Sequence, residues 1–189
     1  MNLLACHISD MVGFKEPAMN VDIIDARPIQ NVLANLFPLY IHELSAFTDF
    51  DVDDDGLFRA PPSFAAYWQE PERHPFLLRA DGKIAGFALI RQMDTEPSAF
   101  DMGEFFVLRR YRRSGVGRTA ACALFDRFKG KWEVRELVDN LPAQGFWRRI
   151  IADYTGGDFT EVKEFFERYN REFIVQRLRS RGAVQDPRR

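Results

Sequence analysis

The chain has 189 residues, of which 46% are hydrophobic and 29% charged, and its formal net charge at pH 7 is −2. This length and composition predict one globular domain, and the small net charge argues against a dedicated nucleic-acid-binding protein. Cys6 and Cys122 are isolated thiols rather than a disulfide framework, and no apolar run is long enough for a membrane span. We therefore expect a cytoplasmic protein that does not contact a membrane.

The two ends of the chain are predicted to lie outside the folded domain. Residues 1–18 precede the first well-organised segment and are predicted to be an N-terminal extension, without the basic start of a signal peptide. The domain is predicted over residues 19–179. The polar residues 180–189 are predicted to form a loosely held C-terminal tail.

Helical and strand patterns follow one another along this domain. Apolar residues recur every three or four positions in a helix and every second position in a strand, which separates the two kinds of element. In chain order the sequence predicts a strand at 21–26, helices within 28–47, an acidic loop at 48–62, a short helix at 63–69, strands at 76–80, 83–92 and 103–109, a helix at 115–129, a strand at 132–138, a helix at 141–154, and strands at 158–166 and 171–179. This order predicts an α/β protein, in the α+β sense, with a mixed sheet and helices on its faces.

Two local signals refine the order of elements. Pro38 is predicted to divide the first helical stretch into two helices, because a proline in a helix interior removes a backbone hydrogen bond. Asp81 and Gly82 are predicted to join the strands at 76–80 and 83–92, because this pair adopts the positive φ angles of a two-residue turn.

A basic segment with two glycines follows the strand predicted at 103–109. Five arginines lie between positions 109 and 118, and Gly115 and Gly117 lack the Cβ that would keep a ligand away from the backbone. The free N–H groups and the dipole at the start of the next helix favour an anion, and arginine binds phosphate through its planar fork. The segment therefore predicts a pyrophosphate site.

Two other interpretations of this segment are open from the residues alone. Gly115, Gly117 and Ala120 also fit the dinucleotide fingerprint G-x-G-x-x-G/A, and Asp139 follows at a suitable distance. In the dinucleotide fold the first glycine follows its strand almost directly, whereas here six polar or basic residues intervene, Arg109 to Ser114. The remaining alternative is a structural turn with a solvated arginine face.

The same segment resembles a signature of the GNAT acetyltransferases. Arg112-x-x-Gly115-x-Gly117 is similar to the acyl-CoA pyrophosphate motif Q/R-x-x-G-x-G/A of that family. The resemblance implies a GNAT-like acyl-CoA N-acyltransferase fold, with a mixed, mostly antiparallel sheet flanked by helices. It also implies an acetyl-CoA-dependent N-acetyltransferase in which a bound primary amine attacks acetyl-CoA directly, without a metal.

A second stretch strengthens the resemblance. Asn140-x-x-Ala143-x-x-Phe146-Trp147 begins 23 residues after Gly117 and is similar to the family motif N-x-x-A-x-x-L/F-Y. The resemblance implies that Asn140 contacts the pantetheine arm, while the residue type alone would also be explained by a cap on the helix at 141. The family commonly has tyrosine where this chain has Trp147. An indole N–H donates a hydrogen bond but does not deliver a proton at neutral pH.

The resemblance implies a set of residues that bind acetyl-CoA. They come from the end of the strand before the loop, through its backbone groups, from the loop itself, and from the second motif. The set consists of Phe106, Val107, Leu108, Arg112, Arg113, Ser114, Gly115, Val116, Gly117, Arg118, Asn140, Ala143 and Phe146.

The catalytic residues are predicted near the same strand and helix. Glu104 is a candidate general base, because its apolar neighbours would raise the pKa of its carboxyl, and a solvated strand-end carboxylate is the alternative. Asp101 or a water chain could replace it. Trp147 either forms a wall of the pantetheine channel or indicates that catalytic activity has been lost. Tyr154 is a substitute for the family's tyrosine as the donor of a proton to the departing sulfur. A non-catalytic acyl-CoA-binding or sensor module, and then a protein-interaction domain without cofactor, are the competing functions.

The remaining polar and aromatic features concern the acceptor and partners. An acidic rim near the acceptor would attract a cationic amine, and a solvated loop that aids solubility explains the same residues. These acids are Glu43, Asp49, Asp51, Asp53, Asp54 and Asp55. The half-motif of a calcium loop that begins at Asp51 has Pro62 where the bidentate glutamate belongs, so no metal is expected. Phe165 and Phe173 suit the core of the last hairpin or a homodimer face.

Overall fold

The computed structural model describes residues 19–94, 96 and 98–181, so the predicted extension at 1–18 and residues 182–189 of the predicted tail lie outside the described residues. Seven strands form one sheet in the spatial order β1-β2-β3-β4-β5-β7-β6. Their bounds are β1 Val21–Asp25, β2 Arg73–Ala80, β3 Lys83–Gln92, β4 Ala99–Val107, β5 Lys131–Leu137, β6 Phe159–Phe166 and β7 Arg171–Arg179. Neighbouring strands are antiparallel except β4 and β5, which are parallel, so the predicted mixed, mostly antiparallel sheet is confirmed.

Four α-helices accompany the sheet: α1 Gln30–Leu44, α2 Pro62–Ala65, α3 Val116–Arg127 and α4 Leu141–Thr155. The predicted division of the first helical stretch is wrong, because α1 runs through Pro38 as one helix. Leu33, Phe37 and Ile41 are buried at four-residue spacing on both sides of the proline, and their packing holds the two halves on one axis. No helix among the described residues is long and apolar enough to cross a membrane.

The two faces of the sheet carry different helices. On one face, α3 and α4 pack over apolar side chains of β4 and β5, including Met102 and Val134, in a cluster that also contains Trp147. On the other face, α1 packs over β2, β3 and β4 through a cluster that contains Phe37 and Phe106. The region between these clusters is the centre of the sheet, where the functional site lies.

Strand β4 differs from its predicted form in two ways. It begins at Ala99, four residues before the predicted start at 103, because its first residues pair with β5 from Ala99 to Met102. It also contains a β-bulge, since Leu89 pairs with Glu104 while the next residue, Ile90, pairs with Met102. The extra residue is Gly103. The bulge changes the alternation of side chains along β4, so that Glu104 shares the α1 face with Leu89.

The parallel strands β4 and β5 part before they end. Their pairing stops at Met102 and Val134, whereas β4 continues to Val107 and β5 continues to Leu137. Beyond Val134, β5 remains paired with β7 only. The separation opens the sheet between its two central strands.

Candidate active site

A cleft of about 470 Å³ occupies the opening between β4 and β5. This volume lies in the range of small-molecule sites in proteins. Its walls are formed by α1, the start of the acidic loop, β4, β5, the first half of α4 and the start of β7. Because the cleft crosses the sheet, it gives access to both the α1 face and the α4 face.

Glu104 lies in the cleft directly after the β-bulge. Its carboxylate accepts a hydrogen bond from the hydroxyl of Tyr40 on α1. Burial raises the pKa of the Glu104 carboxyl to about 7, with a further increase from Asp101, while the Tyr40 hydrogen bond and Arg135 act in the opposite direction. A carboxyl with this pKa can exchange a proton with a substrate near neutral pH.

Asp101, the reserve candidate for the base, does not line the cleft. One of its carboxylate oxygens accepts hydrogen bonds from Arg91 at 2.9 Å and from Arg135 at 2.6 Å. With two guanidinium partners, this carboxylate serves the sheet as an ion-pair centre.

Glu136 on β5 is a second carboxyl in the cleft, and it is not among the residues predicted from the sequence. The residue is only 4% exposed, and neither of its carboxylate oxygens has a hydrogen-bond partner among the described residues. Burial raises the pKa of the Glu136 carboxyl to about 9, assisted by the negative charge of Glu161 and opposed by Arg148. Glu136 is therefore protonated at neutral pH.

The start of α3 presents a run of free backbone N–H groups. The first hydrogen bond of the helix is donated by Thr119 to the Gly115 carbonyl, at 2.9 Å. Within the part of the chain that the structure describes, the N–H groups of residues 113–118 donate no hydrogen bond outside the helix and have no helical acceptor before them. Gly115 has φ +88°, and nothing lies within 4 Å of the position that its Cβ would take. This arrangement suits an anion at the helix N-terminus.

The arginines of this segment have different partners. Arg112 donates a hydrogen bond to the Val107 carbonyl at 2.7 Å, and both Arg112 and Arg109 form ion pairs with Glu43. Arg118 lies 3.7 Å from Asp153. Exposed Arg110 and Arg113 form no ion pair among the described residues, and they are thus the arginines most available to a phosphate.

Arg113 also has a positive φ of 64°, and it is followed by Ser114, whose hydroxyl donates a hydrogen bond to the Tyr111 carbonyl at 2.7 Å. Val116 is buried in the cluster that contains Val107. These backbone and core contacts hold the loop together with the side-chain bonds of Arg112.

The absence of a Cβ at Gly117 serves the packing of α3 against α4. A Cβ at Gly117 would lie 3.0 Å from two ring carbons of Phe146 on α4 and 3.6 Å from a methyl carbon of Val107. Close approach of a ligand to the backbone at this glycine stays a prediction, while on the Cβ side of the residue α3 and α4 are in contact. Phe146 is in turn part of an aromatic group with Phe105 and Trp147.

Asn140 caps α4, which was one of its two predicted roles. Its side-chain oxygen accepts a hydrogen bond from the Ala143 N–H at 3.2 Å, and Pro142 stands in the first turn of the helix. Asn140 and Ala143 also line the cleft. The side-chain oxygen of Asn140 is therefore engaged in the helix cap, while the residue lies at the wall of the cleft.

Trp147 and Tyr154 lie in different surroundings. Trp147 lines the cleft, is 5% exposed and packs its ring edge-on to Phe105 at 5.1 Å. Tyr154 does not line the cleft: its hydroxyl donates a hydrogen bond to Asp126 at 2.8 Å and accepts one from the Arg181 N–H at 3.1 Å. The structure therefore does not bring Tyr154 to the site as a proton donor.

The α1 end of the cleft is mainly apolar and aromatic. Its lining includes Phe37, Ile41, Phe50, Tyr169 and Phe173. Aromatic rings of this kind pack against the apolar part of a ligand and attract a cationic group over their faces.

The acidic loop contributes less charge to the cleft than expected. Asp49 lines the cleft and forms an ion pair with Arg171. Asp53 and Asp55 form ion pairs with Arg59 and do not line it. Most of the predicted acidic rim is therefore neutralised by arginines of the same chain.

Metal-ligating and nucleophilic groups are not assembled in the site. The described ranges contain no group of three or more His, Cys, Asp or Glu residues that could hold a metal ion. Half-buried Cys122 packs against the core cluster on the α3 face, and burial raises the pKa of its thiol. Its surroundings therefore disfavour the thiolate that a nucleophile would need.

Comparisons with known proteins agree with this geometry. Residues 38–151 match the sequence pattern of the Acetyltransferase (GNAT) family. A comparison with curated protein sequences finds no significant match.

Several solved structures have a similar fold at low sequence identity. The ribosomal-protein-S18-alanine N-acetyltransferase from Escherichia coli is 16% identical with a TM-score of 0.55, over 88% of this chain and 98% of that one. The Salmonella typhimurium protein yncA, solved with its cofactor acetyl-CoA, is 16% identical with a TM-score of 0.57, over 90% and 99%. An acetyltransferase from Thermus thermophilus is 14% identical with a TM-score of 0.59, over 86% and 98%.

Proposed function

The chain belongs to the GNAT family of acetyltransferases, and from that premise we propose that it transfers an acetyl group from acetyl-CoA to a primary amine. One observation carries the proposal: Glu104 lies in a cleft through the sheet, and its strand, β4, ends at Val107, after which the chain turns into the free N–H groups at the start of α3. An anion site, a channel and a base are the parts that this reaction needs.

The residues at the start of α3 suit the pyrophosphate of acetyl-CoA. The N–H groups of residues 113–118 would donate hydrogen bonds to phosphate oxygens, and the open space beside Gly115 leaves room for them. Arg110 and Arg113 would add charge from the exposed side. The pantetheine arm would follow the backbone of residues 106–108 into the opening, past Asn140 and Ala143.

Bound there, acetyl-CoA supplies a thioester whose carbonyl carbon an amine can attack. Glu104 accepts the proton that the amine must lose, and its pKa near 7 leaves a useful fraction of the carboxylate free at neutral pH. Tyr40 orients this carboxylate from α1. Both groups are partly buried, which limits the contact of bulk water with the transferred proton.

The acceptor enters from the α1 face, where the cleft is lined by aromatic and aliphatic side chains. We propose an amine carried on an apolar or aromatic group, which these side chains would bind, rather than a polyamine that needs several free carboxylates. The arginine partners of the acidic loop support this choice. We also propose that the enzyme works in the cytoplasm, as the isolated cysteines indicate.

The test is release of free thiol from acetyl-CoA across a panel of amines. The panel contains aromatic amines, amino acids, peptides with a free N-terminus, polyamines and aminoglycosides. We expect amine-dependent release, highest for amines with an apolar group. Saturable binding of CoA without release of thiol for any amine would instead favour a sensor. Trp147, at the position where the family commonly has tyrosine, is the reason to test for this role.

A paired control separates binding from chemistry. Glu104→Gln should bind CoA like the parent protein in a calorimetric titration while releasing thiol more slowly. Failure of the parent protein to bind CoA would exclude both the acetyltransferase and the sensor.

A further inference from the structure

We propose that Glu136 donates the proton that the departing thiolate receives, a role that rests on the proposed acetyl transfer. The cleft contains two carboxyls, half-buried Glu104 on β4 and buried Glu136 on β5, and only the first is explained by removal of a proton from the amine. Acetyl transfer needs a second proton movement, because the sulfur leaves with an electron pair.

The placement of Glu136 suits this second movement. It follows Val134 by two residues on β5, so its side chain lies on the same face as Val134, which packs with α3 and α4. Glu104 lies on the opposite, α1 face. The two carboxyls therefore flank the opening from opposite sides of the sheet. Glu104 faces the acceptor side, and Glu136 faces the side on which α3 begins.

The surroundings of Glu136 keep a proton on the carboxyl. Both of its oxygens lack hydrogen-bond partners in the described residues, and the residue is almost fully buried. The charged groups that face it are Glu161 on β6 and Arg148 on α4, and these two are paired with each other at 2.6 Å. A buried carboxyl without a neutralising partner of its own remains protonated at neutral pH, in keeping with its raised pKa.

Trp147 and Tyr154, the predicted catalytic residues on α4, do not provide the same proton. Trp147 lines the cleft on this face, and its indole N–H does not deliver a proton near neutral pH. The hydroxyl of Tyr154 is bonded to Asp126 and to the Arg181 N–H, away from the cleft. Glu136 is thus the acidic group that the site offers on the sulfur side.

The amine nitrogen forms a bond to the thioester carbonyl carbon, and the carboxylate of Glu104 takes the proton that nitrogen loses. The carbon–sulfur bond then breaks, its electron pair goes to sulfur, and the Glu136 carboxyl gives sulfur a proton. CoA leaves as a free thiol, and solvent takes the proton from Glu104 and returns one to Glu136.

The kinetic experiment compares the parent protein with Glu136→Gln and Glu136→Asp, using acetyl-CoA and the best amine of the panel. Glutamine keeps the size and polarity of the side chain but has no proton to transfer. We expect kcat to fall about 10²-fold in Glu136→Gln, with KM for acetyl-CoA changed less than about twofold, and partial recovery in Glu136→Asp. The decline of kcat above about pH 9 in the parent protein should disappear in Glu136→Gln.

A second measurement does not depend on turnover. The ¹³C chemical shift of the Glu136 carboxyl, identified by its loss in Glu136→Gln, should titrate near pH 9 in the ligand-free protein. A carboxyl that is already ionised at pH 7 would overturn the assignment.

The outcomes separate this role from the proposed function. Thiol release by the parent protein together with an unchanged kcat and pH profile in folded Glu136→Gln would overturn the role of Glu136 alone. A raised KM for acetyl-CoA with unchanged kcat would also overturn it, since Glu136 would then bind the pantetheine arm. No thiol release from the parent protein, despite CoA binding, would overturn the acetyl transfer and this role together.

Discussion

The hydroxyl of Tyr40 donates a hydrogen bond to the carboxylate of Glu104 across the width of the cleft, from α1 to β4. The two residues are 64 positions apart in the sequence. This bond favours the charged form of Glu104 and thereby opposes the rise in pKa that burial causes. Tyr40 therefore adjusts the pH range in which the proposed base is active.

Replacement of Tyr40 should move that pH range. Tyr40→Phe removes the hydrogen bond that lowers the pKa of Glu104, so the pKa should rise above its value of about 7. Since the base acts in its deprotonated form, the rising limb of the kcat/KM profile should move to higher pH, and the rate at pH 7 should fall several-fold. Tyr111→Phe, which removes a hydroxyl outside the cleft, serves as the control. An unshifted limb in Tyr40→Phe would show that Glu104 is not the titrating group.

Replacement of Glu104 should have its largest effect above neutral pH. Below pH 7 the parent carboxyl is already protonated and contributes little, whereas above pH 7 the carboxylate is the active form. Glu104→Gln should therefore lower kcat/KM about 10²-fold at pH 8 and less at pH 6. Calorimetric affinity for CoA should stay within about twofold. Equal losses at both pH values would contradict the assignment.

The contact between Gly117 and Phe146 predicts a loss of stability rather than only a loss of cofactor. Gly117→Ala places a methyl group 3.0 Å from the Phe146 ring, which costs about 1–3 kcal/mol for overpacking. The melting temperature should fall, and the double variant Gly117→Ala with Phe146→Leu should recover much of it. If the double variant regains stability but still binds CoA weakly in calorimetry, Gly117 also serves the pyrophosphate site. Full recovery of both would assign this glycine to packing alone.

The parts of the site that the sequence could reveal are those formed by neighbouring residues. The glycine-containing segment predicts its anion site because the free N–H groups belong to the same helix start as Gly115. Asn140 predicts its cap for the same reason, since its partner is three residues away. The mixed, mostly antiparallel character of the sheet followed from the family resemblance and from the order of elements along the chain.

Features that depend on distant pairing were not predictable in this way. The bulge at Gly103 exists only because of how β3 pairs with β4, and it decides which face Glu104 occupies. Glu136 reads as an ordinary strand carboxylate until β7 and α4 cover it. Pro38 signalled a break in the helix, but the buried contacts of Phe37 and Ile41 outweighed the lost hydrogen bond. In each case tertiary packing decided against the local signal.

The acidic loop should affect acceptor binding through one residue. Asp49→Asn removes a charge at the cleft and frees Arg171, so KM for a cationic amine should rise a few-fold at low ionic strength and less in high salt. The combined change of Asp53, Asp54 and Asp55 to Asn should leave KM unchanged, because the paired members bind Arg59 outside the cleft. Steady-state kinetics at two salt concentrations compares the variants. A larger increase in KM in the triple variant than in Asp49→Asn would show that Asp53, Asp54 and Asp55 face the acceptor.

The last prediction concerns Trp147, whose ring is buried between Phe105 and Phe146 in the cleft wall. Trp147→Tyr replaces it with a smaller ring, so the cavity should lower stability by about 1–3 kcal/mol, seen as a reduced melting temperature. If Glu136 supplies the proton to sulfur, a new hydroxyl is redundant, and kcat should change only a few-fold.

The double variant sharpens the test of Trp147. In the Glu136→Gln background, where the proton donor is gone, Trp147→Tyr can restore one, so thiol release should recover by about tenfold, still below the parent rate. Trp147→Phe in the same background is the control, since it makes a similar cavity without a hydroxyl. A parent protein that releases no thiol while the single variant Trp147→Tyr does would identify a decayed enzyme. Equal recovery by Tyr and Phe would mean that the cavity, not the hydroxyl, changed the rate.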